Sequence, residues 1–444
     1  MEAMDECLIS PTQSLCPECL KRIPAQRVAQ GEKVTMVKRC TEHGEYRTLL
    51  WRGSPEWDSW VRPTIPTPPR DCVTLVEKGC PFDCGLCQDH HQTTCTALIE
   101  VTQRCNLNCK FCFANAGTEL EEPSLDVIET WYKNVLAASG PVNIQLSGGE
   151  PTLRNDLPEI VEMGRALGFN FIQLNTNGLR LAEDPAFLTR LKAAGLSSIF
   201  LQFDGTEDII YESIRGRKLL EIKTKAIECC GNHGIGVVLV PTLIPGINTH
   251  NIGGILQFAL ENHPIVRGVH FQPVSYFGRI PKEPVDQDRI TLPEVIQAIE
   301  EQTKGLIKAA NLKPHNGRCS FSGNFTRQRD GSLKPIINNS CCTAPEQAGE
   351  VARKTRTYVA RQWSGTEKIS IQSPSSDSWD NLLHQLKTYS FSISGMAFQD
   401  VWNIDLERLK NCCIHVVSPE GTLIPFCAYN LTDKFGHSIY RKER

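Results

Sequence analysis

A repeated alternation of strand-like and helix-like segments in the middle of the chain is the feature that most limits its fold. Six short apolar runs, typical of buried strands, alternate there with segments of helical periodicity. The runs begin at Thr96, Asn143, Phe171, Ser198, Val237 and Val269. Strands that alternate with helices form a parallel sheet with the helices outside it. The pattern therefore predicts an α/β fold with an open, partial (β/α)6 barrel over residues 96–314, whose site lies at the carboxyl ends of the strands.

The overall composition is that of an ordinary globular protein of more than one domain. The chain has 444 residues, of which 40% are hydrophobic and 22% are charged, and its net charge is −3. This charge gives no indication of nucleic-acid binding. The sequence shows neither a signal-peptide pattern nor an apolar run long enough to span a bilayer. We therefore expect a cytoplasmic protein without a transmembrane segment.

The 20 cysteines are the second informative feature, because they fall into clusters. In a long chain without secretory features, clustered cysteines indicate metal ligands rather than disulfides. Together with the strand pattern they predict four parts. These are a metal-binding ribbon (1–70), an auxiliary iron–sulfur segment (71–95), the barrel (96–314) and a C-terminal α+β extension (315–444).

The N-terminal part carries two short metal-binding arms, Cys16-x2-Cys19 and Cys40-x2-His43. Two such arms separated by about 20 residues predict a four-ligand structural site. Three thiolates and an imidazole suit zinc, and a rubredoxin-like iron site is also consistent with the pattern. Cys7 is an alternative to His43 as the fourth ligand. A proline-rich linker over residues 62–70 follows.

Two loops downstream share the spacing C-x3-C-x2-C. The first holds Cys80, Cys84 and Cys87, and Cys95 follows close behind. Four cysteines complete a closed 4Fe–4S site, which cannot bind a small molecule at a vacant iron. We therefore interpret this loop as an auxiliary cluster that relays electrons or fixes the linker.

The second loop, Cys105, Cys109 and Cys112, follows the first strand of the barrel and has no fourth cysteine nearby. Three thiolates hold three corners of a cubane cluster and leave one iron open, where a small molecule can bind and react. We predict that these three cysteines are both metal ligands and catalytic. The alternative interpretations are a zinc loop or unrelated core cysteines, which would show no fixed spacing.

The loop Cys105-Asn-Leu-Asn-Cys109-Lys-Phe-Cys112 resembles the signature of the radical S-adenosylmethionine (radical SAM) enzymes. The resemblance implies that SAM chelates the open iron and that one electron cleaves it to methionine and a 5′-deoxyadenosyl radical. This radical removes a hydrogen atom from an unactivated carbon, while the protein positions the reactants and excludes water. A flavodoxin or a ferredoxin is the implied electron donor.

The same resemblance implies a set of SAM contacts at the ends of the predicted strands. In the segment Gly148-Gly149-Glu150-Pro151 the glycines let the backbone approach a ligand, and Glu150 accepts hydrogen bonds from the SAM ammonium. The SAM contacts implied further along the chain are Asn175, Asn177, Asp204 and Arg215. Arg215 suits the SAM carboxylate, because a guanidinium fork binds a carboxylate through two hydrogen bonds.

The C-terminal part contains six more cysteines, of which Cys413 and Cys427 are the candidate ligands of a second auxiliary cluster. The doublets Cys341-Cys342 and Cys412-Cys413 are unusual, because adjacent side chains of an extended segment point to opposite faces. One member of a pair can then bind metal while the other faces a cavity. We predict that at least one of these four is a free thiol that lines the substrate site.

Taken together, the motifs resemble a subgroup that contains tetraether lipid synthases, pterin methyltransferases and a bacterial branch of radical SAM (seleno)proteins. We expect an enzyme that activates an unactivated C–H bond of a small-molecule or lipid substrate and forms a new bond at that carbon. Methyl transfer to a small, pterin-like heterocycle is the alternative reaction. An iron–sulfur electron carrier has no need of a SAM-binding loop, and a zinc-ribbon interaction protein has no need of six βα units.

Overall fold

The computed structural model describes residues 6–70, 72, 74–117, 122–315, 317–336, 345–365 and 388–441. Cys341 and Cys342, one of the two doublets from which a free thiol at the substrate site is predicted, lie outside these residues. Within the described part of the chain, no helix is both long enough and apolar enough to cross a membrane.

The N-terminal ribbon is a four-stranded antiparallel sheet whose strands follow one another in chain order. They are β1 (Cys7–Leu15), β2 (Arg22–Gln30), β3 (Lys33–Cys40) and β4 (Gly44–Arg52). Alternate residues of β3 are buried, which places one face of the sheet against the rest of the protein. On this face the Lys38 ammonium donates to the Val401 carbonyl at 2.6 Å and to the Ser14 hydroxyl at 3.1 Å. The ribbon is therefore joined to the C-terminal part by a buried polar contact.

The middle of the chain forms the predicted six-stranded parallel sheet, in the order of its strands along the chain. After the two-residue strand β5 (Thr64–Ile65), the barrel strands are β6 (Thr96–Thr102), β7 (Asn143–Gly148), β8 (Ile172–Thr176), β9 (Ser198–Gln202), β10 (Gly236–Val240) and, beyond the short β11 (Thr242–Leu243), β12 (Val266–Pro273). All neighbouring pairs are parallel. The predicted partial (β/α) barrel is thereby confirmed.

Helices cover the outside of this sheet. They are α1 (Leu125–Ser139), α2 (Leu157–Ala166), α3 (Leu179–Glu183), α4 (Pro185–Ala193), α5 (Asp208–Arg215), α6 (Leu220–Asn232), α7 (Ile252–Glu261) and α8 (Leu292–Gln302). Outward-facing strand residues such as Ile144, Ile172 and Ile199 are fully buried in the main hydrophobic core. The alternate residues face the inside of the barrel, and several of them, including Gln145 and Gln173, are polar.

The C-terminal extension completes this sheet at both edges. At one edge β17 (Ser390–Met396) pairs in parallel with β12, and β14 (Ser320–Arg327) pairs antiparallel with β17. The small strands β13 (Lys313–Pro314) and β15 (Leu333–Pro335) join β14, while β16 (Glu346–Gln347) pairs with β5. At the other edge β18 (Ile414–Val417) pairs in parallel with β6, and β19 (Leu423–Pro425) pairs with β18. Two short helices, Leu406–Leu409 and Phe426–Asn430, flank β18 and β19.

Helix α9 (Ala348–Trp363) lies across the amino-terminal mouth of the barrel. The Asn143 amide, at the start of β7, donates to the Arg356 carbonyl at 3.3 Å, and the Arg267 guanidinium, near the start of β12, donates to the Gln362 carbonyl at 3.0 Å. A Cβ atom on Gly236, the first residue of β10, would lie 2.6 Å from the Trp363 carbonyl oxygen. Helix and strands are thus in close contact, and α9 closes the end of the barrel opposite to the predicted site.

Candidate functional site

The four predicted ligands of the ribbon come together at one point. The ligand atoms of Cys16, Cys19, Cys40 and His43 all lie within 4.8 Å of one another. His43 Nδ1 is 3.6 Å from the Cys16 sulfur and 3.5 Å from the Cys40 sulfur, and the Cys19 and Cys40 sulfurs are 4.0 Å apart. This donor set and spacing suit a tetrahedral zinc ion. Cys7, the alternative ligand, is exposed at the start of β1 and is not part of the group.

The loop with Cys105, Cys109 and Cys112 connects β6 to α1, above the carboxyl ends of the barrel strands. Arg279 holds it from the side, since its guanidinium donates to the Cys109 carbonyl at 2.9 Å. The backbones of Cys112 and Arg279 exchange two hydrogen bonds, of 3.0 and 2.9 Å. The loop is therefore a fixed platform rather than a free connection.

All three thiols of this loop line the main cavity of the protein, whose volume is about 360 Å³. Burial raises the pKa of the Cys105 thiol. A buried thiolate needs a compensating positive charge, which a bound iron would supply. The donor set and its position facing the cavity fit a cluster whose fourth iron is open toward the cavity.

Gly148 and Gly149 also line this cavity, but their lack of a side chain serves the protein itself. A Cβ atom on Gly148 would lie 2.0 Å from the Thr102 carbonyl oxygen, and one on Gly149 would lie 2.1 Å from the Arg104 carbonyl oxygen. Gly148 also has a φ of +121°, which side chains disfavour. The glycines thus let the end of β7 pack against the chain that leads into the cluster loop. From the sequence, the prediction is instead that the missing side chains let the backbone approach a ligand.

Glu150 is buried at the end of the same segment and organises the cavity wall. One carboxylate oxygen accepts hydrogen bonds from the Thr152 hydroxyl at 2.6 Å, the Thr152 amide at 3.1 Å and the Thr176 hydroxyl at 2.7 Å. The other oxygen accepts one from the Asn177 amide at 2.7 Å. The second oxygen retains capacity for a further donor, as the predicted contact with an ammonium requires. Pro151 is buried behind Glu150 and does not line the cavity.

The two predicted asparagines differ in their roles. The side chain of Asn177 donates through Nδ2 to the Asn106 side chain at 2.7 Å, and its Oδ1 accepts a hydrogen bond from the Leu179 backbone amide at 3.0 Å. Asn177 therefore connects the cluster loop to the end of β8. Asn175 also lines the cavity, and its buried Oδ1 has no hydrogen-bond partner among the described residues. A polar atom left in this way is a binding position for a ligand.

Arg215 and Asp204 form a buried, bidentate ion pair with N–O distances of 2.8 and 2.9 Å. Arg215 lines the cavity and also contacts the Cys109 thiol. Asp204 is fully buried behind Arg215 and does not line the cavity, so its position suits orientation of the guanidinium. A direct contact of Asp204 with the cofactor has no support in this geometry, and Arg215 remains the predicted partner of the SAM carboxylate.

Lys223 is a site residue that the sequence analysis missed. It lies on α6 and is fully buried, and its ammonium donates to the Asn177 carbonyl at 2.5 Å and to the Gln202 side chain at 3.2 Å. Burial lowers the pKa of Lys223 to about 8, although the nearby Asp204 carboxylate opposes this shift. In the sequence it looks like one of several helical lysines, and only the fold shows that it points inward.

The auxiliary loop with Cys80, Cys84 and Cys87 lies away from the main cavity. The Asp83 carboxylate accepts three backbone hydrogen bonds, from residues 77, 78 and 79, and so shapes the loop. The Cys84 amide donates to the Tyr440 hydroxyl at 2.9 Å, which ties the loop to the C-terminal end of the described chain.

Cys95, the predicted fourth ligand of that loop, has a different neighbour in the structure. Its sulfur lies 3.1 Å from the Cys413 sulfur, and its amide donates to the Cys413 carbonyl at 2.8 Å. The sequence predicts Cys95 as the partner of Cys87, whereas in the structure Cys72 contributes, after burial and the charges of Asp89 and Cys80, to the raised pKa of the Cys87 thiol. The reason for the difference is the pairing of β18 with β6, which brings Cys413 to the start of β6. We therefore infer Cys72 as the fourth ligand of the auxiliary loop.

The C-terminal cysteines gather around a second, much smaller cavity of about 30 Å³. Cys319, Cys412, Cys413 and Cys427 line it, and Cys413 also lines the main cavity. Burial raises the pKa of the Cys412 thiol and, to about 11, that of Cys427. Such a group is consistent with the predicted second auxiliary cluster. The predicted free thiol at the substrate site stays a prediction.

Comparison with known families agrees with this geometry. The family model for the Radical SAM superfamily matches residues 99–259, which hold the cluster loop and most of the barrel. The model described as the HMPTM N-terminal zinc ribbon domain matches residues 8–52.

Among characterised proteins, the chain is 37% identical to the 7,8-dihydro-6-hydroxymethylpterin dimethyltransferase of Methanocaldococcus jannaschii, over 94% of this chain and 93% of that protein. It is 32% identical to a GTP 3′,8-cyclase of Chlorobaculum tepidum, but over only 39% of this chain and 53% of that protein. The first relative shares the ribbon, the barrel and the extension, while the second shares only part of the chain.

Solved structures give weaker likenesses. The SuiB–SuiA complex of Streptococcus suis matches with a TM-score of 0.41 and 14% identity, over 49% of this chain and 47% of that chain. The enzyme anSMEcpe with bound AdoMet matches with a TM-score of 0.38 and 17% identity, over 47% of this chain and 60% of that chain. Likenesses at this level carry no argument about the substrate. The family matches and the full-length relative do identify the chain: it is a radical SAM enzyme with 4Fe–4S and SAM cofactors, and it belongs to the family of the M. jannaschii pterin dimethyltransferase.

Proposed function

We propose that this protein is a radical SAM methyltransferase that acts on a carbon atom of a small, pterin-like heterocycle. The observation that carries the proposal is the 37% identity to the M. jannaschii pterin dimethyltransferase, which extends over the ribbon, the barrel and the C-terminal extension. This likeness favours methyl transfer, the alternative reaction, over the more general expectation of some new bond at an unactivated carbon.

The residues of the cavity fit the cofactors that this reaction needs. Cys105, Cys109 and Cys112 would hold the cluster, which when bound supplies the electron that cleaves SAM to methionine and a hydrogen-abstracting 5′-deoxyadenosyl radical. Glu150 would accept hydrogen bonds from the SAM ammonium, and Arg215 would pair with the SAM carboxylate. Both residues line the same cavity as the three thiols.

The neighbouring residues orient these groups. Asp204 fixes the direction of the Arg215 guanidinium, and Lys223 holds the Asn177 carbonyl in place. Asn175 offers its unpartnered amide oxygen to a donor such as a ribose hydroxyl. Preorganised groups of this kind cost little reorganisation when the substrate reacts.

The proposed reaction balances with two molecules of SAM and two electrons. The substrate C–H hydrogen ends on 5′-deoxyadenosine, formed from the first SAM with one electron. A second SAM gives its methyl group as a cation equivalent and leaves as S-adenosylhomocysteine, and the second electron completes the new C–C bond. Both electrons come from an external one-electron donor, for which a flavodoxin or a ferredoxin is proposed.

The test is an anaerobic assay of the reconstituted protein with SAM, a reductant and 7,8-dihydro-6-hydroxymethylpterin. We expect 5′-deoxyadenosine and a pterin heavier by one methyl group or two, detected by mass spectrometry. A long-chain lipid under the same conditions serves as the comparison substrate. Methylation of neither the pterin nor related heterocycles, with SAM cleavage intact, would overturn the proposed substrate class.

A further inference from the structure

The main cavity continues from the cluster loop down the inside of the barrel toward α9. The strand register places the residues of its lower part. His270 on β12 pairs with Ser394 on β17, and Ser392 on β17 pairs with Asn324 on β14. Helix α9 contributes Tyr358 and Trp363 to the floor. We call this part, lined by Gln145, Gln173, Phe200, His270, Asn324 and Tyr358 and floored by Trp363, the lower chamber.

Two polar groups of the lower chamber lack partners. The Asn324 Oδ1 atom and the Tyr358 hydroxyl are both buried, and neither has a hydrogen-bond partner among the described residues. A buried polar atom without a partner is unfavourable, so its presence needs an explanation. A ligand with hydrogen-bonding groups along one edge would satisfy both atoms.

Other polar groups of the chamber wall are already paired within the protein. Gln145 donates to Gln173 at 2.8 Å, and the Trp363 indole donates to the Ser392 hydroxyl at 2.9 Å. The wall is therefore ordered before any ligand binds. The two unpartnered groups stand out against a surrounding in which hydrogen bonds are made.

Aromatic side chains also line the chamber. The rings of Phe200 and Trp363 have centroids 5.5 Å apart and are tilted by 31°, and the His270 ring lies 5.4 Å from Phe200. Aromatic side chains that line a cavity can stack on a planar ligand. A flexible alkyl ligand would not need aromatic rings in its binding site.

None of the described residues that define the lower chamber is charged at neutral pH, although the Arg267 guanidinium, which does not line the cavity, opposes the rise that burial causes in the pKa of the Tyr358 hydroxyl. Burial lowers the pKa of His270 to about 4, so its ring is neutral. The charged residues Glu150 and Arg215 lie at the opposite end of the cavity, beside the cluster loop. A phosphate, a carboxylate or an ammonium would therefore find no counter-charge among the described residues that define the lower chamber.

We infer that the lower chamber binds the ring of a flat, uncharged heterocycle whose hydrogen-bonding edge meets Asn324 and Tyr358. The inference rests on the proposed function and places its substrate between α9 and the cluster loop. An alkyl chain fits less well, because it would leave both polar groups unpartnered. The two side chains are substrate-binding residues that no motif in the sequence had indicated.

The inference is tested by titrating the anaerobic holoenzyme with 6-hydroxymethylpterin and following the fluorescence of the pterin. Tyr358→Phe and Asn324→Ala should each weaken binding about three- to tenfold, the loss of one hydrogen bond. Tyr389→Phe is the matched control, because Tyr389 is 45% exposed. This variant should bind the pterin with the affinity of the wild type. Unchanged affinity in both chamber variants would overturn the inference and leave bound water as the partner of these groups.

Thermal unfolding without ligand separates binding from structure. Because the buried Tyr358 hydroxyl has no partner among the described residues, Tyr358→Phe should leave the Tm unchanged or raise it, whereas loss of a hydroxyl that stabilises the fold would lower the Tm. A lower Tm together with weaker pterin binding would count against the inference.

Further probes keep this test distinct from the test of the proposed function. If wild-type protein binds guanine but not the pterin, and the variants weaken that binding, the chamber stands and the pterin proposal fails. If the pterin is methylated and binds both variants as it binds the wild type, the proposed function stands and the chamber assignment fails. Binding of dodecanoic acid alone would overturn the chamber assignment.

Discussion

The two loops with identical cysteine spacing occupy very different surroundings. Cys105, Cys109 and Cys112 lie at the carboxyl end of β6 and line the main cavity, beside Glu150 and Arg215. The loop of Cys80, Cys84 and Cys87 precedes the barrel, and its cysteines do not line that cavity. Spacing alone therefore predicts a cluster-binding loop, while its position relative to the sheet determines whether substrate chemistry can take place there.

The side chains around the two loops also differ, in their charge and in what they bind. The cavity loop faces a bidentate Asp204–Arg215 pair and the buried Lys223. The auxiliary loop has the backbone-bound Asp83 and the Tyr440 hydroxyl, which stabilise its shape. One set of contacts prepares a binding site and the other fixes a segment of chain, as expected for a reactive site and a closed site.

The largest expected difference comes from removing one loop at a time. Changing Cys105, Cys109 and Cys112 together to alanine should abolish SAM cleavage and remove about four irons per chain. The same change at Cys80, Cys84 and Cys87 should also remove about four irons but leave measurable SAM cleavage with dithionite. Iron analysis and chromatography of 5′-deoxyadenosine check both. Cleavage that survives the first triple change would reverse the assignment of the two loops.

The next effect concerns the guanidinium beside the cavity loop. Arg215→Lys keeps the charge but loses the two-hydrogen-bond geometry, and we expect kcat/KM for SAM cleavage to fall about 100-fold. Arg353 makes the same kind of fork with Glu350 on the surface, with distances of 2.8 and 2.6 Å. Arg353→Lys is thus the matched control and should leave kcat/KM unchanged. Equal effects of both changes would show that Arg215 does not act on SAM.

Features that depend on neighbours along the chain were predictable from the sequence. The alternation of strands and helices gave the partial barrel, and the spacing of Cys16, Cys19, Cys40 and His43 gave the ribbon site. Within each arm of the ribbon site, and within each strand or helix of the barrel, the determining residues lie only a few positions apart. Local spacing translates directly into local geometry in such segments.

Features that depend on distant segments were not predictable. The Cys95–Cys413 contact joins residues 318 positions apart, and it arises from a strand added at the edge of the sheet. The family resemblance implies a cofactor contact for Asp204, whereas its position behind Arg215, as the partner of that guanidinium, is set by the fold and by no local pattern. Tyr358 lies on a helix outside the six βα units, so no periodicity places it at the barrel floor.

The revised ligand set of the auxiliary loop gives a smaller effect. In the Cys80, Cys84 and Cys87 triple variant, adding Cys72→Ala should remove no further iron if Cys72 belongs to that loop. Adding Cys95→Ala should remove further iron, because Cys95 contacts Cys413 beside the second cavity. This additivity test needs only iron analysis of folded protein. The opposite pattern would restore Cys95 as the fourth ligand of the loop.

The smallest expected effect is a difference between the lysines near the two loops in how they make protein stability depend on pH. Lys223 is fully buried and its pKa is lowered to about 8, chiefly by burial, whereas Lys410, near Cys80, is partly exposed and its pKa is raised through its bond to Glu407. Between about pH 8 and the ordinary lysine pKa of about 10.4, the unfolded chain holds a proton on Lys223 that the folded protein has lost. Because the unfolded chain then binds more protons than the folded protein, the free energy of unfolding increases with pH, by at most about 1.4 kcal/mol per pH unit. Wild-type stability relative to Lys223→Met should therefore rise across this window in denaturant titrations. Lys410→Met should show no such rise, and a flat difference for Lys223 would mean that its ammonium keeps its proton in the folded protein.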